Sequence, residues 1–271
     1  MIVISQTNME FIKVLFENRK LVISLGKNDF KNRFANTSLG SIWGFLQPFI
    51  FMATYAIVFQ FILKTGSAGN DPYIVWFMPG MAMWQNIMDT TLSASTSIMN
   101  YSYLVKKVVF PVDIIPIISV ISSGFVGIFL FSIAIIIGCL FKYVPNFLQV
   151  IYIIVAAYTF LIALTRFTSA ITTLVPDFGN LLGIAMQLFF WFTPVVWNMS
   201  MIQNHPIILR IMKCMPFNYL VTGFRDAFIS GNIITENNYL YTIVFWVITL
   251  IVYIWGNHVF KKNKKDFADV L

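Results

Sequence analysis

Apolar runs of about 20 residues follow one another along most of this chain, parted by short stretches rich in Lys, Asn, Gly and Pro. A helix rises about 1.5 Å per residue, so such a run covers the roughly 30 Å hydrocarbon layer of a bilayer. Six spans are predicted on that basis, at residues 41–63, 73–95, 114–141, 147–173, 181–197 and 239–260. The fifth is the shortest and lies near the lower limit for a crossing. Residues 198–238 break the rhythm with two apolar stretches, 206–215 and 217–230, each too short to cross. Non-helical backbone is tolerated at membrane depth only where protein or a wet cavity satisfies it. The segment is therefore expected to be re-entrant, dipping into the outer half of the membrane against the bundle.

Ahead of the first span, Phe11, Val14, Leu15, Val22, Leu25, Phe30 and Phe34 recur at roughly helical spacing, with Lys13, Lys20, Lys27, Lys31 and Arg33 between them. That pattern predicts an amphipathic helix on the membrane surface, its lysines toward anionic headgroups. The first residues lack the apolar core and cleavage site of a secretory signal, so the N-terminus is expected to be retained. The chain thus reads as a single all-α membrane domain over 1–271: an interfacial arm (1–40), a six-span bundle (41–260) and a tail (261–271).

Composition agrees, since 58% of residues are hydrophobic and only 11% charged, where a soluble domain carries roughly 25% charged residues. The net charge of +7 does not point to nucleic acid, because the basic residues gather at span ends, where they orient a membrane protein. Lys and Arg concentrate in the arm, in the loop 104–116 with Lys106 and Lys107, and in the tail with Lys261, Lys262, Lys264 and Lys265. They are sparser on the other side, at Lys64, Lys142, Arg210, Lys213 and Arg225. The bias places both termini in the cytoplasm. Cys139 and Cys214 both fall toward the outer side, where a disulfide between them and two free thiols are both compatible with the sequence, free thiols being the preferred reading.

Polar groups within the spans mark faces turned away from lipid. Gln47-Pro48 and Pro79-Gly80 interrupt the first two spans, and Ser119, Ser123 and Gly127 form a small-residue face on the third. Asp89 and Arg166 are intramembrane charges toward the inner ends of their spans; Asp89 reaches the interface or a hydroxyl, and Arg166 snorkels or pairs within the bundle. Catalytic chemistry is missing: there is no phosphate-binding G-x-x-x-x-G-K-[ST] loop, no H-E-x-x-H, and His205 and His258 are the only imidazoles. No catalytic residue, metal or cofactor is expected. Rings at Trp43, Tyr55 and Phe59 on the first span and at Phe189, Trp191, Phe192 and Trp197 on the fifth, with Gln47 and Gln187, offer stacking faces and hydrogen bonds to a sugar-bearing substrate. The alternative reading of the same rings is an interfacial aromatic belt.

Several stretches carry a family resemblance. They are Lys27-Asn28-Asp29-Phe30-Lys31-Asn32-Arg33 with Leu39-Gly40 through Leu46-Gln47-Pro48, then Val105-Lys106-Lys107-Val108-Val109-Phe110-Pro111, and Phe192-Thr193-Pro194-Val195-Val196-Trp197. Met215-Pro216-Phe217-Asn218, Arg225-Asp226 with Gly231, and the tail Asp266-Phe267-Ala268-Asp269-Val270-Leu271 complete the series. In this order they resemble the permease subunit of type-2 ABC polysaccharide exporters, a family that includes wall teichoic acid and O-antigen transporters. One departure is Val175-Pro176-Asp177, where the family often has an Arg-Asp pair.

The resemblance implies a homodimer of six-span subunits in the bacterial inner or plasma membrane, driven by two copies of a separate ATPase and moving a lipid-linked polymer outward. Under it, Val105, Lys106, Lys107, Phe110 and Pro111 would couple the subunit to its motor. The alternatives are a drug or lipid exporter of the same fold and, from another class, a secondary transporter or intramembrane enzyme. The last two normally need clustered acids, histidines or a nucleophile with its base, and Asp89 with Arg166 is too little.

Overall fold

The computed structural model describes residues 14–62, 67–68, 71–106, 110–230 and 239–271. Expectations resting on Phe11, Lys13, Lys64, Lys107 and Gly231 lie outside them. The described chain is mostly helical, with turns between the helices and a two-residue antiparallel ladder, Ser67–Ala68 with Asp71–Pro72. Among the described residues four helical stretches are long and apolar enough to cross a membrane: Gly40–Gln60, Val112–Leu140, Phe147–Leu174 and Tyr239–Asn263.

Helix α1 (Arg19–Asn32) lies in the arm. It buries Val22, Gly26 and Phe30, spaced four apart on one side. A Cβ at Gly26 would come within 2.7 Å of Ile121, so α1 sits directly on the protein along that line. Helix α2 (Trp43–Ile57) follows a single 3-10 turn and passes into a π-helical turn, Val58–Ile62. Pro48 inside it offers no N–H to the carbonyl one turn earlier, at Gly44.

Helix α3 (Tyr73–Ser95) is the centre of the molecule, packing on α4 (Ile115–Leu140), α5 (Phe147–Leu174), α2, and both α6 (Asp177–Phe192) and α8 (Pro216–Ile229). It has the expected bounds and the length of a span, at 23 residues. Its second half is less apolar than the four crossing stretches because it carries Gln85, Asn86, Asp89, Thr90 and Thr91. The small face of α4 meets it closely. A Cβ at Gly127 would fall 2.2 Å from Asn86 Oδ1, and the Ser123 and Ser93 hydroxyls lie 3.0 Å apart.

The turn between α4 and α5 closes as a Schellman motif, with Tyr143 N bonded to Gly138 O and Lys142 N to Cys139 O, Lys142 taking the left-handed conformation. The Tyr143 hydroxyl donates to Asp71 at 2.9 Å and ties this turn to the ladder. Asn146 caps α5 by accepting from the backbone of Leu148 and Gln149.

The fifth segment corrects the sequence reading at both ends. It begins before the expected residue 181, with Pro176 at the N-cap and the helix starting at Asp177. It stops at Phe192 rather than Trp197, because Thr193 precedes a proline and is held extended at φ −90°, ψ 131°. At 16 residues α6 is shorter than an ordinary span. Beyond it come a 3-10 turn (Met199–Ile202), the short α7 (Pro206–Lys213) and α8, the two helices opening with proline at their first position. Helix α8 buries Phe217, Leu220, Val221, Phe224 and Phe228. Helix α9 (Tyr239–Asn263) packs along α5, and a last turn, Phe267–Val270, ends the chain. Cys139 and Cys214 are free.

Candidate translocation cavity and coupling loop

Helix α2 turns Gly44, Gln47, Pro48, Phe51 and Tyr55 to one side, since offsets of three and four bring residues onto a common face. Opposite stand Trp84, Gln85, Met88 and Asp89 of α3 and Gln187, Phe190 and Trp191 of α6. With residues of the arm and α4 they line an open cavity of about 570 Å³. Aromatic faces and carboxamides thus share one space, the mixture that a substrate with C–H faces and hydroxyls requires.

Of the expected path residues, the fold brings Gln47, Tyr55, Gln187 and Trp191 to this cavity. Phe59 stacks behind it, on Tyr55 at 6.4 Å and on Tyr73 at 5.9 Å. Phe189 faces Phe217 at 5.3 Å, Phe192 is exposed, and Trp197 donates its indole N–H to the Trp191 carbonyl at 3.0 Å. Trp43 lies outside the lining, at the start of α2. Trp84, Gln85 and Phe190 were not singled out from sequence; the signal for the first two was an aromatic beside a carboxamide in a span already broken by Pro79-Gly80.

Asp89 is not an isolated acid. Arg33, just past α1, reaches it at 3.4 Å, pairs with Asp29 at 3.0 Å, and donates to Ser123 Oγ at 3.3 Å and the Ser119 carbonyl at 3.4 Å. The Tyr101 hydroxyl donates to the other oxygen of Asp29 at 2.8 Å. Burial first, and then that bond to a carboxylate, push the Tyr101 phenol above its usual range. The arm is thereby fastened to α3 and α4 beside the cavity, with Phe30 and Phe34 against Gly44.

At the other end, the chain after α6 is buried without being helical, since Thr193, Pro194, Val195 and Val196 are all enclosed. Its carbonyls find side-chain donors. Arg225 of α8 donates through Nη2 to Pro194 O and Val195 O, each at 3.0 Å, and the Tyr73 hydroxyl donates to Val196 O at 3.1 Å. Arg225 Nε donates to Trp76 O at 2.8 Å, one residue on from the carbonyl that Pro79 leaves without an α-helical donor. The guanidinium lies 3.6 Å from the centre of the Trp76 ring, and a Cβ at Gly80 would be 2.3 Å from it. Arg225, read from sequence as an outer surface charge, is only 4% exposed and is an internal staple.

In the loop 104–116, Lys106 is exposed, Phe110 and Pro111 are half-buried, and Lys107 lies outside the described residues. Val105 is buried in an apolar cluster with Tyr101, Val112, Ile115, Phe260 and Phe267, so it supports the loop from within rather than offering a surface. Phe110 packs against the same cluster. Arg166 is wholly enclosed and is paired with Asp113 at 3.2 Å, which settles it as a bundle partner rather than a snorkelling residue.

A family profile described as ABC-2 type transporter matches residues 20–229. The chain belongs to the ABC-2 type transporter family. Among the relatives of this ABC-2 chain is an O-antigen export system permease protein RfbA of Klebsiella pneumoniae, 24% identical over 256 residues, covering 93% of this chain and 95% of that one. The protein of the same description from Myxococcus xanthus is 22% identical over 265 residues, covering 96% and 99%. Membership makes this ABC-2 chain a membrane transport subunit and implies an ATP-binding partner subunit.

Proposed function

We propose that this chain is the membrane-spanning subunit of an ATP-driven exporter that moves a lipid-linked cell-surface polymer, an O-antigen-like polysaccharide or a teichoic acid, from the cytoplasmic to the outer side of the bacterial inner or plasma membrane. The observation that carries the reading is the cavity where Gln47 and Tyr55 of α2 meet Gln187 and Trp191 of α6. Near full-length similarity to proteins named as O-antigen export permeases supports the choice of polymer class. The subunit works as a homodimer with two copies of a separate ATPase.

In this reading the single domain over 1–271 has six spans, α3 and α6 being the second and fifth. Helix α1 lies at the interface with its lysines toward headgroups, α7 and α8 form the re-entrant outer segment, and both termini are cytoplasmic. The loop residues Lys106, Lys107, Phe110 and Pro111 meet the motor, with Val105 behind them. Trp43, Phe59, Phe189, Phe192 and Trp197 serve the path by extending or backing the cavity wall.

The test is reconstitution of the complete complex in vesicles, supplied with a lipid-linked O-polysaccharide or a lipid-linked teichoic acid. ATP-dependent appearance of either polymer on the far side is expected, and ATP hydrolysis with no movement of either would overturn the assignment. Orientation is checked by single cysteines at positions 204 and 264 in a background lacking Cys139 and Cys214. Labelling of the first only from outside and the second only from inside is expected; the reverse would sink the layout.

A further inference from the structure

The Arg166 side chain sits fully enclosed within α5, and a full charge inside a bundle must be paired. Its partner is Asp113, two residues past Pro111 at the end of the coupling loop. Arg166 Nη2 donates to Asp113 Oδ1 at 3.2 Å and Nη1 to the Asp113 carbonyl at 3.3 Å, while the guanidinium lies 4.5 Å from the centre of the Phe260 ring. The second carboxylate oxygen, Oδ2, accepts from Lys264 Nζ in the tail. One carboxylate therefore joins three segments: the loop, α5 and the residues after α9.

The two halves of this triad differ in what they can do. Asp113–Arg166 is buried and holds the loop end to the bundle. The Lys264 side chain is 39% exposed, and ion pairs in contact with water add little stability. Its contact with Asp113 fixes a position instead. The tail is also plugged in by Phe267, which is fully buried and meets Phe260 edge-on at 5.5 Å, in the cluster that includes Val105 and Val112 and supports Phe110.

We infer that the tail is a latch for the coupling loop: Lys264 and Phe267 hold it from behind so that displacement at Lys106 and Phe110 passes to α5 and α9 through Asp113. Lys264 is thus a positioning residue for transport. The inference rests on the proposed coupling role of the loop.

The experiment uses the complete transporter with its ATPase in vesicles, and reads polymer moved per ATP hydrolysed, basal hydrolysis and complex assembly. Lys264→Met should leave assembly and basal hydrolysis as in the unaltered complex but lower the ratio of transport to hydrolysis about fivefold, the scale of a partly exposed ion pair. Lys264→Arg should restore it. Phe110→Ala, measured alongside, should weaken assembly or uncouple hydrolysis from transport. If Lys264→Met keeps the normal ratio while Phe110→Ala uncouples, the latch is wrong and the coupling role stands. If Phe110→Ala also behaves normally, the coupling role fails and the latch falls with it. Loss of the ratio in Lys264→Arg as well would overturn the part assigned to the charge.

Discussion

Two arginines are buried among the described residues, and they are neutralised in different ways. Arg225 spends its donors on the carbonyls of Trp76, Pro194 and Val195 and lies on the Trp76 ring, with no carboxylate among these contacts. Arg166 has a carboxylate, that of Asp113, and shares it with Lys264. The first arrangement sets the charge among backbone dipoles that cannot move away without unfolding the local chain. The second sets it against a side chain with a second partner on a different segment. Around Arg225 the protein is stapled where α3 carries Pro79 and where α6 ends ahead of Pro194; around Arg166 a loop end, α5 and the tail meet at one carboxylate.

The largest expected effect is at the staple. Arg225→Met would strip donors from three enclosed carbonyls, each orphaned group costing about 1–3 kcal/mol, so stability should fall by about 4 kcal/mol or the protein fail to accumulate. Arg225→Lys should also be destabilised, because an ammonium lacks the planar fork that spans these acceptors. A lysine variant of normal thermal stability in detergent would break the comparison by making Arg225 an ordinary point charge.

Next comes the joint. Asp113→Asn leaves the Arg166 guanidinium enclosed without its carboxylate and should cost about 3 kcal/mol, whereas Asp113→Asn with Arg166→Met should recover most of the loss. No recovery in the double variant, read from the same unfolding measurement, would mean that the pair is not a separable unit. A smaller effect is expected of Gly80→Ala, about 2 kcal/mol for overpacking against the Arg225 guanidinium. It should vanish when Arg225 is already Met.

Least in stability, and most selective in function, are changes at the cavity, which neither Arg225 nor Arg166 lines. Tyr55→Leu and Trp191→Leu should leave thermal stability within about 0.5 kcal/mol and basal hydrolysis intact, yet abolish stimulation of hydrolysis by the lipid-linked polymer. Unchanged stimulation in both would return the rings to the role of an interfacial belt.

What could be read from the chain follows from which interactions are local. Apolar runs of span length gave α2, α4, α5 and α9 close to their helical bounds, because each buries or exposes a continuous surface that its own residues define. The ends of α6 were misread, because the residues after Pro176 turn into helix rather than away from it and Thr193, ahead of Pro194, stops the helix at Phe192. The cavity was half legible: Gln47, Tyr55, Gln187 and Trp191 stand out by type, whereas Trp84 and Phe190 look like any core aromatic until α2, α3 and α6 are set side by side. Arg225 was misplaced because a charge count cannot see depth. A clue lay in Thr193-Pro194, where the chain leaves the helix and its following carbonyls need donors from elsewhere. Asp113 and Arg166 are 53 residues apart, and their pairing depends on how α4 and α5 return to the same end of the bundle.

The staple also imposes an order of assembly on the growing chain. Arg225 is made 31 and 30 residues after the carbonyls of Pro194 and Val195 that it serves. Until α8 has left the ribosome, the chain at the end of α6 holds carbonyl acceptors without the Arg225 donor that serves them in the folded chain. The carbonyls of Pro194 and Val195 therefore reach the hydrogen bonds seen in the folded chain only once α8 packs beside them. In this protein the last third of the chain decides where the end of α6 comes to rest.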